Sequence, residues 1–173
     1  MPPLRLAERT GTMQNKRKSQ RLPHYDYSEN GCYYVTVCTN GRHPYFRQSV
    51  GAATCRPHSF PPLTRCGQLA EQAILQIPLH YPHITVEKYV VMPNHLHMLL
   101  MFDSTSNIRQ VSLSDVVGHM KRWVSVQLGF SPWQKSFHDH IIRDEHDFLV
   151  KWNYIDTNPQ RWCADEFYID LNI

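Results

Sequence analysis

Residues 93–102 (PNHLHMLLMF) decide how the rest of the chain is arranged. The apolar run over residues 95–102 predicts a β-strand, in which successive side chains point to opposite faces of a sheet. One face then carries Leu96, Met98, Leu100 and Phe102, and the other carries His95, His97, Leu99 and Met101. Two imidazoles side by side on a stiff element can hold a metal ion or a phosphate, whereas burying them without partners would cost free energy. We therefore interpret His95 and His97 as one half of a catalytic site.

Length and composition predict one folded domain. The chain has 173 residues, of which 42% are hydrophobic and 19% are charged. This composition is typical of a globular protein rather than a disordered one. We expect residues 1–15 to be a disordered extension and residues 16–173 to form the single domain. The formal net charge of +3 is too small to establish nucleic-acid binding, which has to rest on local clusters.

The cysteines and the hydropathy pattern bear on the cellular compartment. The five cysteines are odd in number and scattered, and no pair has C-x-x-C spacing. Neither a disulfide framework nor a cysteine zinc site is predicted, and a reducing cytosol follows from this. No apolar run reaches the length of a signal peptide or a transmembrane helix. We expect a cytoplasmic protein that does not engage membranes.

Hydrophobic periodicity and turn residues predict strands and helices in alternation. Strands are predicted at residues 33–38, 84–92, 95–102 and 136–143. Helices are predicted at residues 67–77, 113–128 and 145–158, with Ser112 and Asp144 as N-caps and Gly129 as a C-terminal cap. This order is typical of an α+β sandwich of the ferredoxin-like kind, in which helices pack on a mainly antiparallel sheet.

The last predicted helix separates a core stripe from a face that carries reactive groups. The core stripe comprises Phe148, Trp152 and Ile155, with Leu149 beside it. Tyr154 lies away from that stripe, and Lys151 and Asn158 share its face at i−3 and i+4. Because Asn158 precedes Pro159, its amide is expected at the helix end. The helix is thus predicted to present a tyrosine hydroxyl and an amide oxygen together on one exposed face.

Two further clusters have more than one reading by residue type alone. The run Lys16, Arg17, Lys18 and Arg21 forms either a solvated tail or an arm that neutralises nucleic-acid phosphates. A second His-x-His pair, His138 and His140, lies in the fourth predicted strand. A lone His-x-His is more often structural than metal-binding. Function therefore has to be argued from the combination with Tyr154.

Four segments, in this order, resemble one protein family. They are residues 21–27 (RLPHYDY), 90–97 (VVMPNHLH), 133–143 (WQKSFHDHIIR) and 154–159 (YIDTNP). The second segment resembles the His-hydrophobic-His motif of the HUH single-tyrosine transposases. The ordered set is similar, more narrowly, to the REP-associated tyrosine transposases, and the resemblance covers residues 16–162. His-x-His alone is a weak signal, whereas the ordered set is a strong one.

The resemblance implies roles for individual residues. His95 and His97 match the metal-binding histidines of the family, and Tyr154 matches its nucleophile. Asn158 stands where relatives place a third polar metal ligand, commonly a glutamine, and a water could bridge the gap left by its shorter side chain. On the same grounds we expect Mg²⁺ or Mn²⁺ and no nucleotide cofactor, although an imidazole pair alone would also suit zinc.

The resemblance also implies a reaction and a substrate. Tyr154 would attack single-stranded DNA beside a short imperfect hairpin, giving a 5′-phosphotyrosine link and a free 3′-hydroxyl. The partner is therefore single-stranded or hairpin DNA, bound by a monomer or a homodimer. Candidate DNA contacts are the basic residues at 16–21 together with Tyr25, Tyr27, Lys121, Arg122, His138, His140 and Arg143.

Two alternatives compete with this interpretation. A ferredoxin-like nucleic-acid-binding module, such as a transposase that no longer cuts, would bind hairpin DNA without forming a covalent adduct. A metal hydrolase would instead arrange a zinc ion among His95, His97, His138 and His140. In that case Tyr154 would be structural, and activity would survive its replacement by phenylalanine.

Overall fold

The structure is a computed structural model that describes residues 25–48, 60–103 and 111–168. In chain order, its elements are β1 (Gly31–Cys38), α1 (Arg65–Leu75), α2 (Ile77–His80), β2 (Ile84–Val91), β3 (His95–Phe102), α3 (Leu113–Leu128), β4 (His138–Ile142) and α4 (Glu145–Thr157). Two 3-10 helices cover Asn40–Arg42 and Asn158–Ala164. The extension at residues 1–15 and the basic run at 16–21 lie outside the described residues.

The four strands form one antiparallel sheet in the order β2-β3-β1-β4. β1 connects to β2 through α1 and α2, and β3 lies between these two strands, which is the split βαβ arrangement of ferredoxin-like folds. A three-residue connection joins β2 to β3, closed by the Met92 N–H donating to the His95 carbonyl at 2.8 Å. The predicted α+β sandwich with an antiparallel sheet is confirmed.

The two faces of β3 enter different cores, as the alternation of its side chains predicts. Leu96, Met98 and Leu100 are fully buried in a large cluster with residues of α1 and α3. Leu99, on the opposite face, is buried in a smaller cluster with Ile155 of α4. Burying each side chain of this size stabilises the fold by about 2 kcal/mol. This anchoring on both faces holds β3 rigidly, and the two histidines lie on its α4 side.

The helix ends follow the capping chemistry of the sequence. Thr64 caps α1, because its hydroxyl accepts from the Gly67 N–H at 3.1 Å. Pro78 does not end the helical segment but stands in the first turn of α2, where a missing N–H is tolerated. The predicted caps of the later helices are confirmed, with a capping box at Ser112, a left-handed Gly129 and a carboxylate cap at Asp144.

The predicted core stripe of α4 is wrong at Leu149. This side chain is 49% exposed, whereas Ile155 is buried and both Phe148 and Trp152 are partly buried against the smaller core. Leu149 follows Phe148 directly and is therefore rotated by about 100° around the helix axis. That rotation carries it to the solvent side, because α4 contacts the sheet only along a narrow stripe.

Two structural findings concern the cysteines and the lengths of the apolar helices. Cys32, Cys38 and Cys66 are buried free thiols, whereas Cys163 is disulfide-bonded. The scattered spacing did not predict that bond, because separation along the chain says little about distance in the fold. Within the described ranges, no helix is long and apolar enough to cross a membrane.

Two glycines in helices give a direct test of this packing. A Cβ added at Gly67 would collide with the backbone carbonyl of Phe46 and with the side chain of Leu63, whereas a Cβ added at Gly118 would meet nothing within 4 Å. We expect Gly67→Ala to lower the free energy of unfolding by about 2 kcal/mol or more. Gly118→Ala, the matched control in α3, should raise it by about 0.5–1 kcal/mol. Urea unfolding measures both, and equal effects of the two substitutions would contradict the packing of α1 against residue 46.

Candidate metal and tyrosine site

His95 is buried, and only one of its two ring nitrogens has a hydrogen-bond partner among the described residues. Its Nδ1 lies 2.9 Å from Asn94 Oδ1, and the Asn94 amide nitrogen donates to the Phe167 carbonyl at 2.7 Å. That second bond identifies the oxygen of the amide, so His95 Nδ1 is the donor and carries the proton. His95 Nε2 is buried and has no hydrogen-bond partner among the described residues. Its lone pair therefore faces the interior of the site.

His97 has the same arrangement two residues further along β3. Its Nδ1 lies 2.7 Å from the Tyr34 hydroxyl and 2.9 Å from the Thr36 hydroxyl, both on β1. Its Nε2 is also buried without a partner in the described part of the chain. The two imidazole rings stand 4.5 Å apart between centroids. Hydrogen bonds on the far ring nitrogens are the usual means by which proteins orient metal-binding histidines.

Burial keeps both histidines neutral. It lowers the pKa of His95 to about 3, with a further contribution from the positive charge of Arg42. It lowers the pKa of His97 well below its ordinary value, and the neighbouring His95 adds to this effect. Neutral imidazole is the form that ligates a metal ion, so neither ring has to lose a proton at pH 7 before binding one.

A carboxylate that sequence reasoning missed completes the cluster. Ligand atoms of His95, His97 and Asp165 all lie within 4.8 Å of one another. Asp165 follows the 3-10 helix at the end of α4, and its Oδ1 accepts from the Phe167 N–H at 2.7 Å. Neither periodicity nor a motif marks this residue. Only the fold of the segment after Pro159 brings it over β3.

Asn158 is placed differently from its prediction. It is only 2% exposed, so the expectation that its amide lies on an exposed helical face is wrong. The chain continues past Pro159 as a tighter 3-10 helix, which turns this side chain inward. Its Nδ2 donates to Asp165 Oδ2 at 3.0 Å, and its Oδ1 is buried without a partner in the described ranges. The amide nitrogen of Asn158 thus links this side chain to Asp165, while its amide oxygen stays available as a ligand atom.

Tyr154 meets the same carboxylate. Its hydroxyl donates to Asp165 Oδ2 at 3.2 Å, and its ring packs edge-on against His97 with centroids 5.3 Å apart. Burial raises the pKa of Tyr154 to about 12, and the charge and hydrogen bond of Asp165 add to the effect. The phenol is therefore protonated at neutral pH. The histidine pair of β3 and the pair formed by Tyr154 and Asn158, which lie far apart in the sequence, come together at one point.

The donor set fits a divalent cation. Two imidazole nitrogens that have no hydrogen-bond partner among the described residues and one carboxylate lie within 4.8 Å of one another, and the amide of Asn158 is hydrogen-bonded to that carboxylate. Such a mixed nitrogen and oxygen set suits ions such as Mn²⁺ and Zn²⁺ better than an all-oxygen site would, and the carboxylate favours Mn²⁺ and Mg²⁺. Unpaired buried polar atoms cost free energy, and a bound cation would satisfy them together.

An open cleft leads to the cluster. A cleft of about 500 Å³ is lined by Tyr154, Asn158, Arg161 and Asp165, and a second recess of about 380 Å³ by Arg42, His138 and His140. Both are lined by Lys151, whose Nζ lies over the Tyr34 ring at 5.0 Å. The sequence predicts Lys151 on the tyrosine face of α4 but indicates no role for it. Its position between the two recesses is suited to contact an anion.

The second histidine pair does not join the metal cluster. Thr36 pairs with His97 on one side and His138 on the other, so these residues occupy one row across the sheet. Two strand spacings separate His138 from His97, which is about 10 Å. His140 Nε2 instead lies 2.7 Å from Asp147 Oδ2. The four-histidine zinc site of the alternative hydrolase is therefore not formed.

The tyrosines expected to read DNA lie elsewhere. Tyr25 and Tyr27 pack against each other with ring centroids 5.0 Å apart, and both also contact the Tyr33 ring. Tyr33 packs on Phe102, which ends β3 seven residues after His95, at a distance of about 24 Å along the strand. Tyr27 is buried. Their rings therefore belong to the core at the end of the sheet remote from the metal cluster.

The basic candidates also differ in their surroundings. Lys121 is partly buried and donates to the Gln134 carbonyl at 2.7 Å, and burial lowers its pKa. Arg122 and Arg143 are exposed. Contacts of these residues with DNA stay predictions.

Comparisons with known proteins support the fold. No family model matches the chain. An uncharacterized protein of Haemophilus influenzae is 27% identical over 89% of this chain and 94% of its own length. A solved structure, a REP-associated tyrosine transposase bound to a REP hairpin, aligns with a TM-score of 0.56 at 21% identity, covering 80% of this chain and 72% of that chain. The structural resemblance expected from the four segments is thus confirmed at the level of the fold.

Metal affinity tests the third ligand. We expect Asp165→Asn to weaken Mn²⁺ binding at least about 10-fold, because it removes a charged ligand atom, and Asn158→Ala to weaken it less. Asp156→Asn is the control, because this exposed carboxylate pairs with Lys88 away from the cluster. Titration calorimetry of the three variants gives the order. If Asn158→Ala lowers the Mn²⁺ affinity more than Asp165→Asn does, Asn158 rather than Asp165 is the third metal ligand.

The buried histidines should make stability depend on pH. In the unfolded chain a histidine has a pKa of about 6.5, so below that pH the unfolded state binds more protons than the folded state. The free energy of unfolding of the metal-free protein should therefore fall as the pH is lowered from 7 to 5. The fall amounts to at most about 1.4 kcal/mol per pH unit for each of the two histidines. Urea unfolding in EDTA measures it.

The matched variant is His95→Gln combined with His97→Gln, which removes both titrations. Its stability should vary less with pH than that of the wild-type protein over the same range. Parallel curves for the two proteins would show that the imidazoles are not held neutral by burial.

Proposed function

We propose that the protein is a metal-dependent nuclease and strand transferase that acts on single-stranded DNA beside a hairpin, with Tyr154 as the nucleophile. The observation that carries the proposal is the convergence of a tyrosine hydroxyl and a carboxylate, which line one open cleft, with two neutral imidazoles buried directly behind them. The REP hairpin bound by the structurally similar transposase supports the choice of substrate. A cytoplasmic location belongs to the same proposal, because the substrate is chromosomal DNA.

The packing of Tyr154 prepares it for attack. Its ring stands edge-on to His97 and to Tyr34, with centroids 5.3 and 6.3 Å apart, so its orientation in the cleft is defined. With a pKa of about 12, the phenol is a weak nucleophile until it loses its proton. Asp165 Oδ2 already accepts the hydroxyl hydrogen at 3.2 Å. We assign Asp165 as the group that takes this proton, a role that the sequence left without a candidate.

The reaction balances without a nucleotide cofactor. The Tyr154 Oη–P bond forms as the P–O3′ bond breaks, and the departing 3′-oxygen takes up a proton to become a hydroxyl. The 5′-phosphate stays on the tyrosine, so attack by a 3′-hydroxyl on this link rejoins DNA and returns the phenol. When bound to His95, His97 and Asp165, a divalent cation supplies Lewis-acid polarisation of the scissile phosphate.

Lys151 is the residue that we assign to hold the phosphate. It lies three residues before Tyr154 on the same helical face, and it lines both recesses of the cleft. A lysine ammonium is a point charge on a flexible stem and suits a non-bridging phosphate oxygen. Arg161 lines the Tyr154 side of the same cleft and adds positive charge there. The positive charges of Lys151 and Arg161 offset the negative charge of the carboxylates in the cleft, which would otherwise repel the DNA phosphates.

A covalent adduct tests the proposal. The wild-type protein, incubated with Mn²⁺ and labelled single-stranded hairpins, should form a protein–DNA adduct that resists denaturant. Tyr154→Phe should abolish it, because the nucleophilic oxygen is missing. Tyr89→Phe is the matched control, since the Tyr89 hydroxyl lies 3.2 Å from Glu71 on the other side of the sheet. Denaturing gels with labelled DNA give the readout.

The outcomes separate the candidate functions. Hairpin binding without an adduct in the wild-type protein would favour the non-cutting nucleic-acid-binding module. An adduct that survives Tyr154→Phe would place the nucleophile on another side chain.

A further inference from the structure

Three aromatic rings form an exposed cluster beside the site that the mechanism above does not use. Phe130, after the end of α3, is 48% exposed, although it is a large apolar side chain. Its ring stands edge-on to Tyr45 with centroids 5.8 Å apart, and Tyr45 lies 5.7 Å from the ring of His43. His43, Tyr45 and Phe130 are called the exposed aromatic cluster below. Tyr45 is partly buried against the large core, whereas His43 is exposed like Phe130. The exposure of these two rings on either side of Tyr45 is what needs an explanation.

The cluster is connected to the metal site through Arg42. The Arg42 guanidinium lies over the Phe167 ring at 4.9 Å and donates to the Glu166 carbonyl at 3.3 Å. The Phe167 ring in turn packs 4.7 Å from His95. The Arg42 charge reaches far enough to act on His95. Arg42 also lines the second recess of the cleft, and His43 follows it directly in the chain, so the cluster adjoins the Arg42 side of the cleft.

The backbone that carries the cluster is tightly held. The Thr39 hydroxyl donates to the His43 carbonyl at 2.7 Å, and the Asn40 N–H donates to the Pro132 carbonyl at 2.7 Å. The Phe46 N–H donates to the Pro93 carbonyl at 3.0 Å, next to the histidine strand. These bonds tie the segment at 39–46 both to the loop that carries Phe130 and to β3. The rings are thus positioned before any ligand arrives.

The conformation of Arg42 also points to a constraint beyond folding. Its φ of 57° is in the left-handed region, and it is the one non-glycine residue with a positive φ in the described part of the chain. Residues with side chains avoid this region, and such strain is concentrated at binding and catalytic sites. The guanidinium of this residue lies over Phe167, and the following residue, His43, lies beside Tyr45. The residue with the strained backbone therefore lies between the exposed aromatic cluster and the site.

We propose that the exposed aromatic cluster stacks an unpaired base of the single strand that leaves the Tyr154 site, while Arg42 contacts the adjoining phosphate. This inference rests on the proposed function. Exposed aromatic rings combined with a nearby cation are the means by which proteins hold single strands, because every base has a π-face. The cluster is a second candidate beside Tyr25 and Tyr27, whose rings lie at the remote end of the sheet, Tyr27 buried in the core and Tyr25 partly buried against it.

Affinity measurements without catalysis test the proposal. Three hairpins share one stem: the first is blunt, and the others carry a single-stranded extension of about six nucleotides at the 5′ or the 3′ end. Fluorescence anisotropy in EDTA, where no metal supports cleavage, gives the affinities of the full chain. The wild-type protein should prefer one extended hairpin to the blunt one. Phe130→Ala should lower the affinity for that extended hairpin about 5- to 100-fold and leave the affinity for the blunt hairpin unchanged.

Two variants separate stacking from loss of structure. Phe130→Trp should retain the affinity, because it keeps a stacking surface. Leu79→Ala should also retain it, because Leu79 is 78% exposed on α2, away from the cluster, and controls for the loss of exposed apolar area. In addition, a 5-iodouracil in the extension should photocrosslink to Tyr45 or Phe130 in the wild-type protein.

The proposal is overturned if the wild-type protein binds blunt and extended hairpins equally, if Phe130→Ala weakens both alike, or if the crosslink maps only to other residues. These outcomes are distinguishable from failure of the nuclease activity. If only the nuclease proposal fails, the protein forms no covalent adduct but still binds the extended hairpin through Phe130. If only the stacking proposal fails, the adduct forms normally and Phe130→Ala does not change the affinity for the extended hairpin.

Discussion

The site depends on how the two buried imidazoles are hydrogen-bonded. Asn94 is hydrogen-bonded to Nδ1 of His95, and the hydroxyls of Tyr34 and Thr36 lie within hydrogen-bond distance of Nδ1 of His97, so Nε2 of each ring is left for a ligand. Leaving two such groups unpaired inside a protein costs free energy that the folded core has to offset. The arrangement makes sense as a preformed ligand pair, because the rings then need neither rotation nor deprotonation when a cation binds.

The antiparallel sheet determines which groups can take part. Pairing of β1 with β3 places Thr36 directly beside His97, and pairing of β1 with β4 places His138 one strand further away. Strand spacing is nearly constant, so these distances leave little freedom. One His-x-His pair is therefore in the cluster that could hold a metal ion, while the other lines the second recess. A shift of one residue in register would turn every histidine to the opposite face.

Asp165 links the halves of the site. Its carboxylate lies near both histidines, receives the Asn158 amide and accepts the Tyr154 hydroxyl. A hydrogen bond to a carboxylate stabilises the protonated phenol, which agrees with the raised pKa of Tyr154. In the proposed mechanism, the same group both restrains Tyr154 and takes its proton. The segment that carries Asp165 also presents Phe167 to Arg42, which extends the site toward the exposed aromatic cluster.

The sequence by itself determined the order of elements, the ferredoxin-like sheet, the caps of α3 and α4, and the pairing of His95 and His97 on one face. These features follow from periodicity and capping, which act over a few residues. Only the tertiary structure decided the burial of Asn158, the entry of Asp165 into the site and the exposure of Phe130. Each depends on how a segment without periodicity folds back over the sheet, and no local pattern records such a long-range contact.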